Sequence, residues 1–289
     1  MVKRLNVMNE KIGGEPPVSR TPNGEDIALA PPVALGTMLF SLVEPNTDHA
    51  ADFARWYERD HFFAGCMAGA DFFSGRRFVA TRDLKQHRIG AGLTDDHAVD
   101  DGSFLHLYWI LQGRRDEALS WSVDQVRRLA RQGRMGPPTR SISTGFYDYV
   151  GGHFSSAQPI PAELALEYPY TRATALLIDK AEGADTHSFR NELERRLAPL
   201  HTHPRSMVLW FRPIQLPSNA PRIATPVPQA ELDRRWLIVA FSDANQQDSD
   251  MRAIRSLGAA MSATQLGTLR LAAPFRPITP GIDDYSDRL

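Results

Sequence analysis

The stretch "DFARWYERDHFFAG", residues 52–65, has apolar and aromatic residues at the spacing of an amphipathic helix. Strand-like segments flank it: "LGTMLFSLV" at 35–43 is apolar, and "DFFSGRRFVAT" at 71–81 is aromatic and basic. Further along, the pattern predicts a strand at 104–111, a helix at 115–134 and a strand at 141–150. The stretch also raises a functional question, because His61 could perform chemistry or only belong to the helix.

The order of these elements, β-α-β-β-α-β, is that of a ferredoxin-like unit, and the second half of the chain repeats it. Such a unit carries helices on one face of its sheet, so the other face needs a cover. We therefore predict an α+β protein of two tandem ferredoxin-like units whose antiparallel sheets face each other as a barrel within one chain. The predicted boundaries are an N-terminal arm at 1–34, a first, site-bearing unit at 35–150, a linker at 151–169, a second unit at 170–276 and a C-terminal tail at 277–289.

The segment "ADFARWYERDHFFAGCMAGADFFSGRRFVA", residues 51–80, resembles the EthD-like branch of the dimeric α+β barrel superfamily, here in a tandem fused form. In that branch the first helix often carries Trp-Tyr a few residues before His, and the next strand ends in Arg-Arg-Phe or Arg-Arg-Tyr. The matching residues are Trp56, Tyr57, His61, Arg76, Arg77 and Phe78. The resemblance implies a barrel core with helices outside, the end of the first helix at a cavity mouth, and an enzyme that works without a cofactor.

Alternation along the strand at 104–111 separates two sets of side chains. One set is wholly apolar, whereas Phe104, His106 and Tyr108 share the other face. The apolar set suits the surface under the helices, so we predict that the mixed set points into the space between the sheets. The same parity on neighbouring strands groups Tyr147 with Tyr149, and Phe72 with Ser74, Arg76 and Phe78.

A pocket with imidazole, phenol hydroxyls and aromatic walls suits a small hydrophobic or aromatic substrate. Histidine titrates near neutral pH, and phenols can polarise a carbonyl. We therefore predict a cofactor-independent enzyme that acts by proton transfer on a hydrophobic or aromatic, polyketide-like carbonyl compound, as a cyclase, dehydratase or isomerase. His61 or His106 would be the base and Tyr108 the hydrogen-bond donor; the predicted substrate-binding residues are Trp56, Tyr57, Arg76, Phe104, Tyr147 and Tyr149.

Two alternatives remain open. The first is a haem-dependent oxidative enzyme of the same superfamily, with an axial ligand among His187, His201 and His203. The second is a non-enzymatic binding module in which all these polar residues are structural. The sequence has no phosphate loop, dinucleotide-binding motif or metal-ligand pattern, so it predicts no cofactor and no metal.

Composition limits the partners and the compartment. The formal net charge of −1 gives no reason to expect nucleic acid as a partner. No apolar run approaches the ~18 residues that span a bilayer, and the first 20 residues lack the apolar core of a secretion signal. A single cysteine, Cys66, excludes an internal disulfide. We therefore predict a cytoplasmic protein without membrane partners; the fold also allows a homodimer.

Overall fold

Eight antiparallel strands close into a barrel, with helices packed outside it, in a mixed α+β fold. Around the barrel the order is β8-β2-β3-β1-β4-β6-β7-β5, and β5 pairs back onto β8. The strands are β1 (Leu35–Pro45), β2 (Phe72–Val79), β3 (Phe104–Leu111), β4 (Thr139–Phe154), β5 (Arg172–Lys180), β6 (Met207–Pro213), β7 (Arg235–Ser242) and β8 (Gly267–Pro277).

The computed structural model describes residues 19–20, 26–27, 33–93, 97–155, 160–217, 220, 225, 227–243 and 247–289. Most of the arm predicted at 1–34 lies outside the described residues; within it, Ser19–Arg20 pairs antiparallel with Asp26–Ile27. The chain from Ala34 to Leu289 forms one compact unit that contains the barrel. No helix in the described part of the chain is long and apolar enough to cross a membrane.

The first helix differs from the α-helix that its periodicity predicts. It begins as α1 (Ala50–Trp56) and continues as a π-helix at Tyr57–Met67, which widens the turns around His61. The other helices are α2 (Arg82–Lys85), α3 (Arg115–Arg131), α4 (Thr186–Leu197), α5 (Gln229–Leu232) and α6 (Gln247–Ala263). At the start of α4 the Asp185 carboxylate accepts a hydrogen bond from the Ser188 amide, which satisfies one of the free donors of the first turn.

The barrel interior is filled by apolar side chains from both halves. Met38, Phe40 and Trp109 from the first half belong to the same cluster as Phe211 and Phe241 from the second. Segment 160–170 covers one end, where the Ala162 carbonyl accepts a hydrogen bond from the Trp109 indole. In the described part of the chain, the interior is therefore a packed core where the prediction placed a substrate between the sheets.

The predicted orientation of β3 is wrong. Leu105, Leu107 and Trp109 fill the barrel, whereas Phe104 and Tyr108 pack under the helices of the first half. The alternation of the two side-chain sets along β3 is confirmed. The wholly apolar set lies inside the barrel because side chains from both halves cover it there. The polar face lies where α1, the π-helix and α3 provide hydrogen-bonding groups.

A bulge also divides the residues grouped on β2. The pairing of β2 with β3 shifts register between Phe72 and Ser74. Phe72 consequently packs under the helices, while Phe78 belongs to the barrel core. The bulge also places Arg77 on the helix side of the sheet, where it donates to the Ala54 carbonyl.

Among the described residues, the layer under the helices of the second half is mainly apolar, with one buried hydrogen bond from Ser242 to Asp250. Seventeen buried hydrophobic residues, among them Phe189, Trp210 and Trp236, form one cluster between its strands and the helices α4 and α6. This packing leaves the first half as the place to look for a ligand.

Candidate functional site

A cavity lies between the outer face of the first-half strands and the helices that cover them. It has two adjoining compartments, of about 80 Å³ and about 210 Å³, which share Ser41, Tyr57, His61 and Thr144 as lining residues. The smaller compartment is bounded by α3 and by apolar side chains such as Leu216. The larger one is bounded by the face of α1 and by the turn before β4.

His61 lies at the junction of the two compartments and is only 8% exposed. Its ring stacks on Trp56 with centroids 4.5 Å apart, and it meets Tyr57 edge-on at 5.1 Å. Burial lowers the pKa of His61 to about 4, against a small opposite effect of Asp60. The imidazole is therefore neutral at pH 7, and its buried Nδ1 has no hydrogen-bond partner among the described residues.

Gly65 leaves room for this imidazole. A Cβ atom at position 65 would come within 2.8–3.0 Å of three ring atoms of His61. Any larger residue would push the ring away from the helix and out of its stack on Trp56. A small residue four positions after His61 is the one local sequence signal for this arrangement.

At the inner wall of the cavity, which Tyr57 and Cys66 line, the hydroxyls of Tyr57 and Tyr108 lie 2.9 Å apart, with the Cys66 thiol beside them. Burial is the main cause that raises the pKa values of both tyrosines and brings that of Cys66 to about 12. All three groups are therefore protonated at neutral pH. They form a hydrogen-bonded layer that can hold protons and does not supply an anion.

His106 lies behind Tyr57 and does not line either compartment. Its ring stacks on Tyr57 with centroids 3.7 Å apart, and its Nδ1 is buried without a hydrogen-bond partner in the described structure. Burial lowers the pKa of His106 well below its usual value, and the charges of Arg77 and His61 act in the same direction. The histidine predicted to sit inside the barrel is thus a neutral ring between Tyr57 and β2.

Arg77 and Glu58 form an ion pair, although neither was among the predicted catalytic or substrate-binding residues. The Arg77 guanidinium is 6% exposed and donates to Glu58 Oε2 at 2.5 Å. Glu58 also accepts a hydrogen bond from the Gly281 amide, so the pair connects the π-helix to β2 and to the C-terminal segment. The bulge in β2 decides the direction of Arg77, and regular alternation could not reveal it.

The sheet side of the cavity carries a row of hydroxyls. Ser41 and Thr144 lie 3.2 Å apart, Ser141 donates to Thr144 at 3.0 Å, and Thr225 lies 2.7 Å from Ser141. Sequence reasoning passed over Ser41, although it is a polar residue within an otherwise apolar strand. The alternation of side chains along β1 could have assigned Ser41 to the face of the sheet that meets the helices.

The other predicted substrate residues lie away from the cavity, and their roles stay predictions. Tyr147 belongs to the barrel core, and Tyr149 packs on the same cluster. Phe104 packs against Phe53 in the layer under the helices. Arg76 donates to two carbonyls of the segment that closes the barrel end. Of the predicted substrate-binding set, Trp56 and Tyr57 are the residues that line the cavity.

No family model and no curated protein sequence matches this chain. Solved structures with a similar architecture include an anthrone oxidase-like protein (10% identity, 86% of this chain and 95% of that one, TM-score 0.49). Others are a haem-binding protein from Thermus thermophilus (10%, 86% and 94%, TM-score 0.41) and the encapsulated DyP-type peroxidase from Mycobacterium smegmatis (11%, 89% and 94%, TM-score 0.44). At identities near 10% and TM-scores below 0.5, these structures share an overall α+β architecture with this chain and show nothing finer.

This comparison corrects the predicted function. The similar structures are described as oxidative or haem-binding proteins, so the prediction of a cofactor-independent cyclase, dehydratase or isomerase is wrong. The haem-dependent alternative agrees with them better. Within the described residues, no group of three or more His, Cys, Asp or Glu side chains is placed to hold a metal ion.

Proposed function

We propose that the protein is an oxidative enzyme that binds a small, largely apolar organic molecule in the cavity beside His61. The oxidative class comes from the descriptions of the similar structures, and the ligand comes from the cavity. The observation that carries the site is the His61 imidazole, which is neutral, buried and without a partner at Nδ1. A buried polar atom left unpaired costs about 1–3 kcal/mol, so a ligand that contacts this ring would recover part of that cost.

Haem is the cofactor that the alternative hypothesis names, and the residues present do not fit it. His187 is exposed, while His201 and His203 are half-buried over a part of the protein whose core is filled. His61 has suitable donor chemistry, but compartments of about 80 and 210 Å³ both fall below the roughly 300 Å³ at which pockets for drug-sized ligands begin.

The side chains around the cavity have separable roles in this proposal. Trp56 and the apolar residues of α3 exclude water and contact the rings of the ligand. As a neutral imidazole, His61 donates or accepts a hydrogen bond with the ligand. Tyr57, tied to Tyr108, keeps the wall behind it rigid. The His61 imidazole therefore provides a polar contact that orients the ligand in a largely apolar surrounding.

We also propose the finer description of the fold. Each half has the strand order 2-3-1-4 of a ferredoxin-like unit, which supports two tandem units at 35–150 and 170–276. Membership of the EthD-like branch is proposed from the residues Trp56, Tyr57, His61, Arg76, Arg77 and Phe78. An experimental structure in which the two halves superpose would test this description. Sedimentation equilibrium would test for the predicted homodimer.

The functional proposal is tested with 2-naphthol as ligand. We expect saturable binding by calorimetry and consumption of dioxygen or peroxide, with binding about three- to tenfold weaker in His61→Leu. Tyr147→Phe is the matched control, because it removes a hydroxyl from the barrel core. Binding without oxidation, whether or not haem is added, would instead support the non-enzymatic binding module. A Soret band that appears on haem addition and requires His61 would overturn the conclusion that haem does not fit.

A further inference from the structure

The row of hydroxyls on the sheet side of the cavity is formed by Ser41, Ser141, Thr144 and Thr225. These four hydroxyls carry four hydrogens but form three hydrogen bonds among themselves. Ser141 donates its only hydroxyl hydrogen to Thr144, so in the 2.7 Å contact Thr225 must donate to Ser141. In the pair of Ser41 and Thr144, one hydroxyl donates to the other at 3.2 Å. Whichever donates, the other member keeps a hydrogen with no acceptor in the described structure.

The residue that keeps this spare hydrogen, Ser41 or Thr144, lines the cavity. Ser41 and Thr144 line both compartments, and His61 lines both as well. Ser122 provides a contrast, because its hydroxyl also lines the smaller compartment but donates to the Ala118 carbonyl of its own helix. The cavity therefore has two sources of polar contact, an unpartnered imidazole and a hydroxyl pair with one free donor, within an apolar surrounding.

We propose that Ser41 and Thr144 determine the specificity of this cavity, and that the ligand is a one- or two-ring aromatic compound carrying a hydroxyl group. The inference rests on the proposed ligand site and does not depend on the oxidation. A phenol oxygen accepts the spare hydrogen, and its own O–H can donate to an imidazole nitrogen. A methyl group in place of the ligand's hydroxyl would leave the spare hydroxyl hydrogen and the imidazole nitrogen without a partner.

The volume supports the stated size. An apolar cavity of about 150 Å³ in another protein holds benzene. The larger compartment here is about 210 Å³ and adjoins the smaller one, with which it shares four lining residues. One ring fills the larger compartment, and a second fused ring can extend toward the smaller.

The test compares 2-naphthol with 2-methylnaphthalene, which differ by a hydroxyl against a methyl of similar size. Calorimetry gives the ratio of their dissociation constants in the wild type and in each variant. We expect the relative preference for 2-naphthol to fall about three- to tenfold in Ser41→Ala/Ser141→Ala/Thr144→Val. All three substitutions are needed, because removing Ser41 alone frees the Thr144 hydroxyl to donate in its place, and removing Thr144 frees the hydrogen of Ser141, which also lines the larger compartment.

Ser122→Ala is the control and should leave the ratio unchanged, because that hydroxyl is already used within α3. If the triple variant does not fold, the wild type decides, because equal dissociation constants for the two compounds would overturn the inference. An unchanged ratio in the folded triple variant, an equal fall in Ser122→Ala, or no binding of either compound to the wild type would also overturn it. Normal discrimination together with no oxidation would refute the proposed oxidative function and leave this inference standing.

Discussion

Replacing His61 by leucine should stabilise the protein. The imidazole is 8% exposed, and its Nδ1 has no partner among the described residues. Leaving a buried polar atom unpaired costs about 1–3 kcal/mol, and leucine is apolar and of comparable size. One kcal/mol corresponds to about 2–4 °C in a chain of this size, so the melting temperature should rise by about 2–12 °C at pH 7.

The pH dependence strengthens this prediction. The pKa of His61 is lowered to about 4 in the folded protein and is near 6.5 when the chain unfolds. As pH falls below 6.5 the unfolded chain takes up this proton first, so the folded state loses stability between pH 6.5 and pH 4. The loss from His61 amounts to about 2 kcal/mol at pH 5 and is almost absent at pH 7. His61→Leu lacks this loss, so its advantage over the wild type should be larger at pH 5.

Thermal and urea denaturation followed by circular dichroism at pH 7 and pH 5 would measure both effects. His61→Gln is the matched variant, because it keeps a polar group at the site and should show no gain at pH 7. If His61→Leu melted below the wild type at pH 7 and followed the same pH dependence, the imidazole would have a stabilising partner. The reasoning from the unpaired nitrogen would then fail, and with it the main support for the site.

Three further outcomes follow from other buried groups. Glu58→Gln should destabilise the protein by about 1.5–3 kcal/mol in urea denaturation, because it leaves the buried Arg77 guanidinium without its carboxylate; an unchanged midpoint would show that water replaces the pair. Cys66 has a pKa raised to about 12 by burial, so it should resist thiol reagents at pH 8 until the protein is unfolded; rapid labelling of the folded protein would mean that the layer behind the cavity opens readily. Burial favours the neutral acid at Asp179, but hydrogen bonds from Arg235 hold its pKa below the usual value. Asp179→Asn should therefore lower the free energy of unfolding by about 3–5 kcal/mol at pH 7, and by less as pH falls through the Asp179 pKa. A loss that did not depend on pH would assign the effect to packing.

The sequence predicted the elements of the barrel well because each depends on a local pattern. The strand at 104–111 and the helix that starts at 115 lie where periodicity places them. Barrel closure is different, since it depends on residues far apart in the chain. β4 runs to Phe154, beyond its predicted end at 150, because its last residues pair with β6 across the junction between the halves. Neither strand reveals that pairing alone.

The site was only partly predictable. Alternation shows which side chains share a face, but it does not show which face meets the helices, and for β3 that choice was wrong. The π-helix and the β2 bulge each break a regular period, and they decide where His61 and Arg77 lie. His61 lines the cavity, next to which the family resemblance places this helix end, and its role stays a prediction. Ser41 was missed, since one serine in an apolar strand is an ordinary observation until its neighbours are known.

The difference between the two halves is a physical argument for the position of the site. The space under α4 and α6 is filled by Phe189, Trp210, Trp236 and their neighbours, as packing for stability requires. The matching space in the first half holds a cavity lined by a neutral histidine and by hydroxyls. Within the described residues, unpaired buried nitrogens occur in both halves, at His61 and at the indoles of Trp210 and Trp236, so the cavity and its polar lining are the difference. Each of these features lowers stability, and apolar side chains could have filled the space as they do in the second half. Local rules are broken most often at functional sites. The first half is therefore where a ligand should bind, and the second half supplies the packed structure that lets the barrel tolerate that cavity.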